Sequence, residues 1–131
     1  MKDGHTTRLP RGETLGRIFL ASHRATLVVV DGPSSGAEYE IRENGMTVGR
    51  GPGVDITVPD KSMSKCHAAF EPAERGVRVR DMGSTNGIAV NGSRVDAADL
   101  KHGDRVEIGS HVFQFLIESA ERVPTYDLDI S

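Results

Sequence analysis

Four short clusters in this sequence combine side chains that could do chemistry. Together they hold a guanidinium, an ammonium group, hydroxyls and side-chain amides. They are Gly49-Arg50, Ser64-Lys65-Cys66-His67, Asp81-Met82-Gly83-Ser84-Thr85-Asn86-Gly87 and Asn91-Gly92. Each falls at a predicted strand end or in a loop, and loops on a rigid scaffold are common carriers of binding groups. The set is rich in hydrogen-bond donors and poor in nucleophile–base pairs, so it indicates binding rather than catalysis.

Those donors suit a phosphate monoester, which at pH 7 carries about −1.5 to −2 charges and three strong acceptor oxygens. Arg50 and Lys65 can supply charge-assisted hydrogen bonds, and the hydroxyls of Ser64 and Thr85 can donate to the same oxygens. The side chain of Asn86 offers both a donor and an acceptor, which suits a peptide backbone. The residues themselves therefore predict recognition of a phosphorylated peptide.

Enzymatic interpretations fail on the motif rules. Residues 49–53 are glycine-rich but lack the Lys-Ser/Thr pair of a P-loop. Ser64, His67 and Asp81 lack the strand–turn–helix elbow of a nucleophilic serine. Cys66 is a poor partner for His67, because neighbours on a strand point to opposite faces, and we expect it to be a small buried hydrophobe. The five histidines show no metal-ligand spacing. We expect no catalysis, no metal and no cofactor.

The elements that must position these clusters read as short strands. β-branched and apolar runs follow each Gly/Asn/Pro cluster, at 26–30, 37–41, 46–49, 55–58, 67–71, 77–81, 88–90, 105–108 and 112–117. This spacing predicts an antiparallel sandwich or barrel. Helical periodicity is nearly absent, and we expect only one helical turn, at residues 96–100, ended by Gly103.

Length and charge limit the number of domains and the classes of partner. The chain has 131 residues, which is enough for one domain. Its formal net charge of −3 argues against general nucleic-acid binding. Neither a stretch of ~20 apolar residues nor a signal peptide is present, so we expect a cytoplasmic protein with no membrane contact. We expect a flexible N-terminal arm at 1–24, one domain at 25–117 and a C-terminal linker at 118–131.

The motifs, taken in order, resemble the forkhead-associated (FHA) family. Gly-Arg, Ser-x-x-His, Gly-Ser-Thr-Asn-Gly and Asn-Gly follow one another, and the ending at residues 100–104, 108–109 and 113–115 fits as well. The resemblance runs from about Thr26 to Ile117. It implies an all-β fold, an eleven-stranded antiparallel β-sandwich (FHA/SMAD-like) with flexible termini, that recognises phosphothreonine peptides.

The resemblance also implies roles for single residues. Arg50, Ser64 and Thr85 would bind the phosphate and hold the loops, Lys65 would add a phosphate contact, and Asn86 would bond the peptide backbone. Structural support would come from Gly49, His67, Gly87, Asn91 and Gly92. The chain departs from the family pattern at Ile88, where threonine is common, and at Ser62, where some members carry arginine.

The implied partner is a phosphothreonine-containing protein in bacterial Ser/Thr kinase signalling, bound by a monomer. Two alternatives stay open. One is a phosphate-independent FHA-like interaction module, the sensor part of a larger regulatory protein. The other is a DNA backbone held by the basic arm. Thr6 and Thr7 are candidate phosphorylation sites that could occupy the site of the same chain, although they could equally be solvated tail residues.

Overall fold

The computed structural model describes residues 12–74 and 76–119, and these form one helix and eleven strands. The eleven-stranded, all-β sandwich that the resemblance implied is confirmed. The elements are α1 (Gly12–Ser22), β1 (His23–Asp31), β2 (Glu38–Glu40), β3 (Met46–Gly49), β4 (Ile56–Thr57), β5 (Ala68–Ala73), β6 (Gly76–Asp81), β7 (Ile88–Val90), β8 (Ser93–Val95), β9 (Ala97–Asp99), β10 (Arg105–Ile108) and β11 (His111–Ser119).

The strands form two sheets. The six-stranded sheet has the order β2-β1-β11-β10-β7-β8, and the five-stranded sheet has the order β4-β3-β5-β6-β9. Pairing is antiparallel throughout except between β3 and β4, where Val48 lies opposite Ile56 in a parallel ladder. The long β1–β11 ladder shifts register between Val29 and Asp31. Two packed sheets of short strands place many connecting loops at each end of the sandwich.

The core lies between the two sheets and follows from the period of two along each strand. In β1, Ala25, Leu27 and Val29 are buried while their neighbours are more exposed. Phe70 and Phe113 are fully buried. Each such side chain contributes about 1.5–3 kcal/mol when it leaves water. One contiguous core of this kind fits a single domain.

The N-terminal prediction is wrong for residues 12–24. We predicted a flexible arm up to residue 24, but α1 occupies Gly12–Ser22 and β1 begins at His23. Leu20 is buried in the core and Phe19 packs against it. A Cβ on Gly16 would lie 2.3 Å from the carbonyl oxygen of Ala73, so glycine permits the close approach of helix and strand. Residues 1–11, with Thr6 and Thr7, lie outside the described residues.

Two strands were not predicted. The predicted helical turn at 96–100 is β9 instead, which pairs with β6 so that Arg78 lies opposite Asp99. Sheet pairing overrides the weak helical tendency of this short stretch. β8 pairs with β7 through a tight turn at Asn91-Gly92, whose φ angles are 50° and 85°. Positive φ at both residues is typical of the type I′ turn.

The two ends of the sandwich differ. The connections β1–β2, β4–β5, β6–β7, β8–β9 and β10–β11 meet at one end, where the β3–β4 loop also begins; we call this the loop end. The opposite end carries α1 against β5 and β6, together with the β7–β8 turn. The predicted linker begins inside β11, which runs to Ser119, and residues 120–131 lie outside the described part. Within the described ranges, no helix has the length and apolar character needed to cross a membrane.

Candidate functional site

The β3–β4 and β4–β5 loops are joined by backbone hydrogen bonds at the loop end. The N–H of Arg50 donates to the carbonyl oxygen of Ser64, and that of Gly51 donates to Lys65, both at 3.1 Å. A Cβ on Gly49 would lie 2.0 Å from the carbonyl oxygen of Lys65, so only glycine fits there. The predicted supporting role of Gly49 thus has a steric basis, because the two loops could not approach around a side chain.

Arg50 follows β3 directly and is exposed at the rim of the two loops. Its Nε donates to the carbonyl oxygen of Met63 at 2.8 Å, which fixes the direction of the side chain. The described contacts show no bond to either terminal nitrogen of the guanidinium. An anion at the loop end could therefore receive both terminal groups at once, the fork geometry that suits a phosphate.

His67 joins the β4–β5 loop to the β6–β7 loop from inside the protein. Its side chain is fully buried. Nδ1 accepts the N–H of Ser64 at 3.0 Å, so the ring proton lies on Nε2, which donates to the carbonyl oxygen of Gly87 at 2.7 Å. Both ring nitrogens are thus satisfied within the protein. The geometry gives His67 a bracing role and leaves it no contact to offer a ligand.

Ser64, Thr85 and Asn86 meet across the two loops. The backbone N–H of Thr85 donates to Oγ of Ser64 at 3.0 Å, and the described contacts show no bond donated by the Ser64 hydroxyl. Nδ2 of Asn86 donates to the carbonyl oxygen of Ser62 at 2.9 Å. Thr85, Asn86 and Lys65 are all exposed. The fold therefore brings the predicted binding residues onto one surface.

The β6–β7 loop is shaped by a carboxylate that sequence reasoning did not assign. Asp81 accepts the N–H groups of Gly83 at 3.1 Å and Ser84 at 3.2 Å, and it also accepts the hydroxyl of Ser84. Oγ of Ser84 in turn accepts the N–H of Gly87 at 2.8 Å. An Asp followed by Gly-Ser is a signal for an Asx turn, so the sequence did contain the cue.

Arg94 on β8 was also missed. Its Nη2 donates to the carbonyl oxygen of Asn86 at 2.5 Å. A Cβ on Gly87 would lie 2.9 Å from Nε of Arg94, so the glycine leaves room for the guanidinium. Together with Glu107, these residues line a shallow hollow of about 80 Å³ beside Asn86. No local motif marks Arg94, because it reaches the site only through the β7–β8 hairpin.

The predicted supporting residues Asn91 and Gly92 lie elsewhere. Asn91 donates from Nδ2 to Asp104 at 3.0 Å, and its Oδ1 accepts the N–H of Arg105 at 3.0 Å, both at the end opposite the site. The described contacts thus show Asn91 supporting the start of β10 rather than the site loops, while Gly92 completes the β7–β8 turn. Cys66, which we expected to be buried on a strand, is exposed, because it lies in the β4–β5 loop and β5 begins only at Ala68.

A buried polar cluster underlies the β4–β5 loop. Oδ1 of Asp60 accepts the N–H of Ser62 at 2.8 Å and its hydroxyl at 2.5 Å. Oδ2 accepts the N–H of Ser110 at 2.9 Å, its hydroxyl at 2.8 Å and Nδ1 of His111 at 2.8 Å. Burial by itself raises the pKa of the Asp60 carboxyl, but these hydrogen bonds outweigh it and hold that pKa well below its usual range. Sequence reasoning missed this cluster.

The groups on this surface are suited to binding an anion. Arg50, Lys61 and Lys65 are exposed cations on the two joined loops, and Ser64 adds a hydroxyl donor. Across the described ranges, no group of three His, Cys, Asp or Glu side chains could hold a metal ion. The arrangement offers donors and positive charge for a phosphate.

Comparison with known proteins points the same way. The sequence model described as the FHA domain matches residues 46–109. The chain is 39% identical over 105 residues to a glycogen accumulation regulator, GarA, of Mycolicibacterium smegmatis, covering 80% of this chain and 66% of that protein. It is 37% identical over 102 residues to an oxoglutarate dehydrogenase inhibitor of Corynebacterium glutamicum, covering 78% of this chain and 71% of that protein.

A similar solved structure is that of Mycobacterium tuberculosis EmbR in complex with a low-affinity phosphopeptide. It shares 28% identity with a TM-score of 0.67, over 74% of this chain and 25% of that one. The matches to the first curated relatives span 57–66% of those proteins' lengths.

Proposed function

Because this chain belongs to the forkhead-associated (FHA) family, we propose that it is a binding module that recognises phosphothreonine on a partner protein through its loop end. The phosphate would be held by Arg50, Ser64 and Lys65, with Thr85 completing the loop contact. Asn86 would bond the peptide backbone beside the phosphothreonine. No described residue set suggests bond-making chemistry, and the proposed role is non-catalytic.

The single observation that carries this proposal is the state of the Arg50 guanidinium, which is exposed and is held at Nε alone among the described contacts. Its Nε is anchored on the carbonyl oxygen of Met63, and the described contacts show no hydrogen bond to its terminal nitrogens. An anchored arginine loses less side-chain entropy on binding than a free one, so it suits a defined anion. The neighbouring hydroxyl of Ser64 is held in the same way by the N–H of Thr85.

The relatives suggest the context of this binding. One is named as a regulator of glycogen accumulation and the other as an inhibitor of oxoglutarate dehydrogenase. We infer a regulatory role in Ser/Thr kinase signalling in the cytoplasm, with a phosphorylated protein as partner. A kinase that carries phosphothreonine is itself a candidate partner.

Titration with matched peptides tests the proposal. Pools with a fixed central phosphothreonine and degenerate flanks are compared with the same pools carrying threonine or phosphoserine. We expect measurable binding of the phosphothreonine pool, weaker binding of the phosphoserine pool and none of the threonine pool. The missing methyl of phosphoserine is worth about 0.8 kcal/mol if it is buried. Equal affinity for threonine and phosphothreonine would favour the phosphate-independent module instead.

A salt series separates a phosphopeptide site from general attraction to phosphate. Binding to a DNA backbone would fall steeply with salt and ignore peptide phosphorylation. We expect discrimination between phosphothreonine and threonine to persist at physiological ionic strength. Equal binding of the phosphothreonine and threonine pools at that ionic strength would contradict a specific phosphate-binding site.

A further inference from the structure

Residues 60–63 form a tight turn at the loop end, which we call the Asp60 turn. The N–H of Met63 donates to the carbonyl oxygen of Asp60 at 2.9 Å, and the N–H of Ser62 donates to the Asp60 carboxylate at 2.8 Å. The carboxylate thus closes the turn from inside. It is almost inaccessible to solvent, with 5% of its side chain exposed.

The outer side of this turn holds two residues of the proposed site. The carbonyl oxygen of Ser62 accepts Nδ2 of Asn86 at 2.9 Å, and that of Met63 accepts Nε of Arg50 at 2.8 Å. These two side chains come from separate loops, after β6 and β3. The described contacts therefore give both the same platform, two consecutive carbonyl oxygens of one turn.

The turn is itself fastened to the six-stranded sheet. The second oxygen of the Asp60 carboxylate accepts the N–H and hydroxyl of Ser110 and Nδ1 of His111, at 2.8–2.9 Å. A Cβ on Gly109 would lie 2.8 Å from that oxygen, so a glycine is needed where the β10–β11 turn meets the carboxylate. His111 is 2% exposed and starts β11. A loop of one sheet is thus clamped to a turn of the other.

We propose that Asp60 is a positioning residue of the phosphopeptide site, which aims Arg50 and Asn86 together through the carbonyl oxygens of Met63 and Ser62. This inference rests on the proposed function. If the carboxylate loses its partners, both carbonyl oxygens shift. The guanidinium of Arg50 and the amide of Asn86 are then no longer held in a fixed position relative to each other. A carboxylate with five hydrogen bonds is a rigid support, because charge-assisted bonds are the strong ones.

The test is the Asp60→Asn substitution, with Asp104→Asn as the matched control. An asparagine keeps the shape but cannot accept on both sides, so at least one set of partners is lost. Asp104 also caps a turn, accepting the N–H of Lys101 at 2.8 Å and Nδ2 of Asn91 at 3.0 Å, but at the opposite end of the sandwich. Both variants are expected to lower Tm. Only Asp60→Asn is expected to weaken binding of the phosphothreonine pool, by about tenfold, at a temperature where both are folded.

Two further measurements keep the inference testable. The ¹⁵N–¹H signal of Arg50 Nε reports its hydrogen bond to Met63 directly, and we expect it to shift in Asp60→Asn and stay in place in Asp104→Asn. If Asp60→Asn does not fold, Ser62→Ala removes one bond to the carboxylate, and Ser62→Thr restores it. Affinity should fall in the first and recover in the second.

The outcomes separate the inference from the proposed function. Failure of the wild-type chain to bind any phosphothreonine pool overturns the proposed function, and the Arg50 signal then still tests the positioning role. Wild-type affinity in folded Asp60→Asn, or an unmoved Arg50 signal, overturns the inference while leaving the proposed function intact. A non-additive double-mutant cycle between Asp60→Asn and Asn86→Ala supports it, and additive effects count against it.

Discussion

The imidazole of His67 spans the gap between two site loops to donate a hydrogen bond of 2.7 Å to the carbonyl oxygen of Gly87. Its other nitrogen accepts the N–H of Ser64, so one neutral tautomer satisfies both loops. The ring lies beneath the surface on which Ser64 and Thr85 meet. The loops therefore depend on a side chain that itself has no free group for a ligand.

The first prediction concerns that ring. His67→Ala is expected to lower the free energy of unfolding by about 2–4 kcal/mol, because it leaves a cavity and two unpaired, partly buried backbone groups. Thermal denaturation followed by circular dichroism measures the change. His102→Ala, an exposed histidine at the other end, should cost much less. An unchanged Tm together with lost binding would place His67 in contact with the ligand instead.

Arg50→Ala tests the proposed phosphate contact. Hydrogen bonds to charged groups contribute about 1.5–3 kcal/mol, so the affinity for a phosphothreonine peptide should fall more than tenfold. The fold should survive, because the side chain is exposed. Arg105→Ala, which removes an exposed arginine at the opposite end of β10, is the matched control. Wild-type affinity in a folded Arg50→Ala protein would refute the site assignment.

Gly49→Ala probes the close approach of the two loops. A Cβ there would lie 2.0 Å from the carbonyl oxygen of Lys65, so the loops must separate. We expect a loss of stability of about 1–3 kcal/mol or more, with weakened phosphopeptide binding, since Arg50 is the next residue. Gly53→Ala meets no atom within 4 Å and carries only the strain of its φ of 91°. It should keep its affinity, and equal behaviour of the two variants would argue against the steric explanation.

The Asp60 carboxyl makes stability depend on pH at the acidic end. Its pKa is lowered in the folded state, because hydrogen bonds from Ser62, Ser110 and His111 overcome the opposing effect of burial. A lowered pKa adds stability above the unfolded value of about 3.9, and that stability is lost as the pH falls below it. We expect Tm to fall more steeply between about pH 5 and pH 2 in the wild type than in Asp60→Asn. Parallel pH profiles would contradict this.

Phosphorylation of Thr6 or Thr7 tests self-occupation of the site. The helix α1 leaves five residue steps from Thr7 to Gly12, which reach at most about 18 Å when extended. β5 alone, which separates the contact with α1 from the loop end, spans about 17 Å. These two lengths are comparable, so we expect a phosphorylated Thr6 or Thr7 to compete with external peptide, and a loss of affinity that grows with protein concentration would identify competition between chains. Undiminished affinity at every concentration would show that Thr6 and Thr7 do not occupy the site. The Thr6→Ala/Thr7→Ala variant is the control.

The sequence by itself determined most of the strand pattern and which loops carry the candidate site residues. Strands alternate buried and exposed residues, and turns need glycine or asparagine at particular positions, so both leave local signals. Nine of the eleven strands carry such a signal at the observed place. The clusters at Arg50, Ser64 and Thr85 were recognisable for the same reason, because each is a short run of neighbouring residues.

Tertiary structure alone decided how those loops are held. Asp60 meets Ser110 and His111 across about fifty positions of sequence. Arg94 reaches Asn86 only because β7 and β8 fold back on each other. Such contacts join residues that are far apart in sequence and lie in no recognisable motif, so no local sequence pattern predicts them. α1 was missed for a related reason. Phe19 and Leu20 are apolar residues in a polar stretch, and this short pattern does not predict a helix without the sandwich surface on which they pack. Its stability comes from packing on that surface rather than from helix propensity.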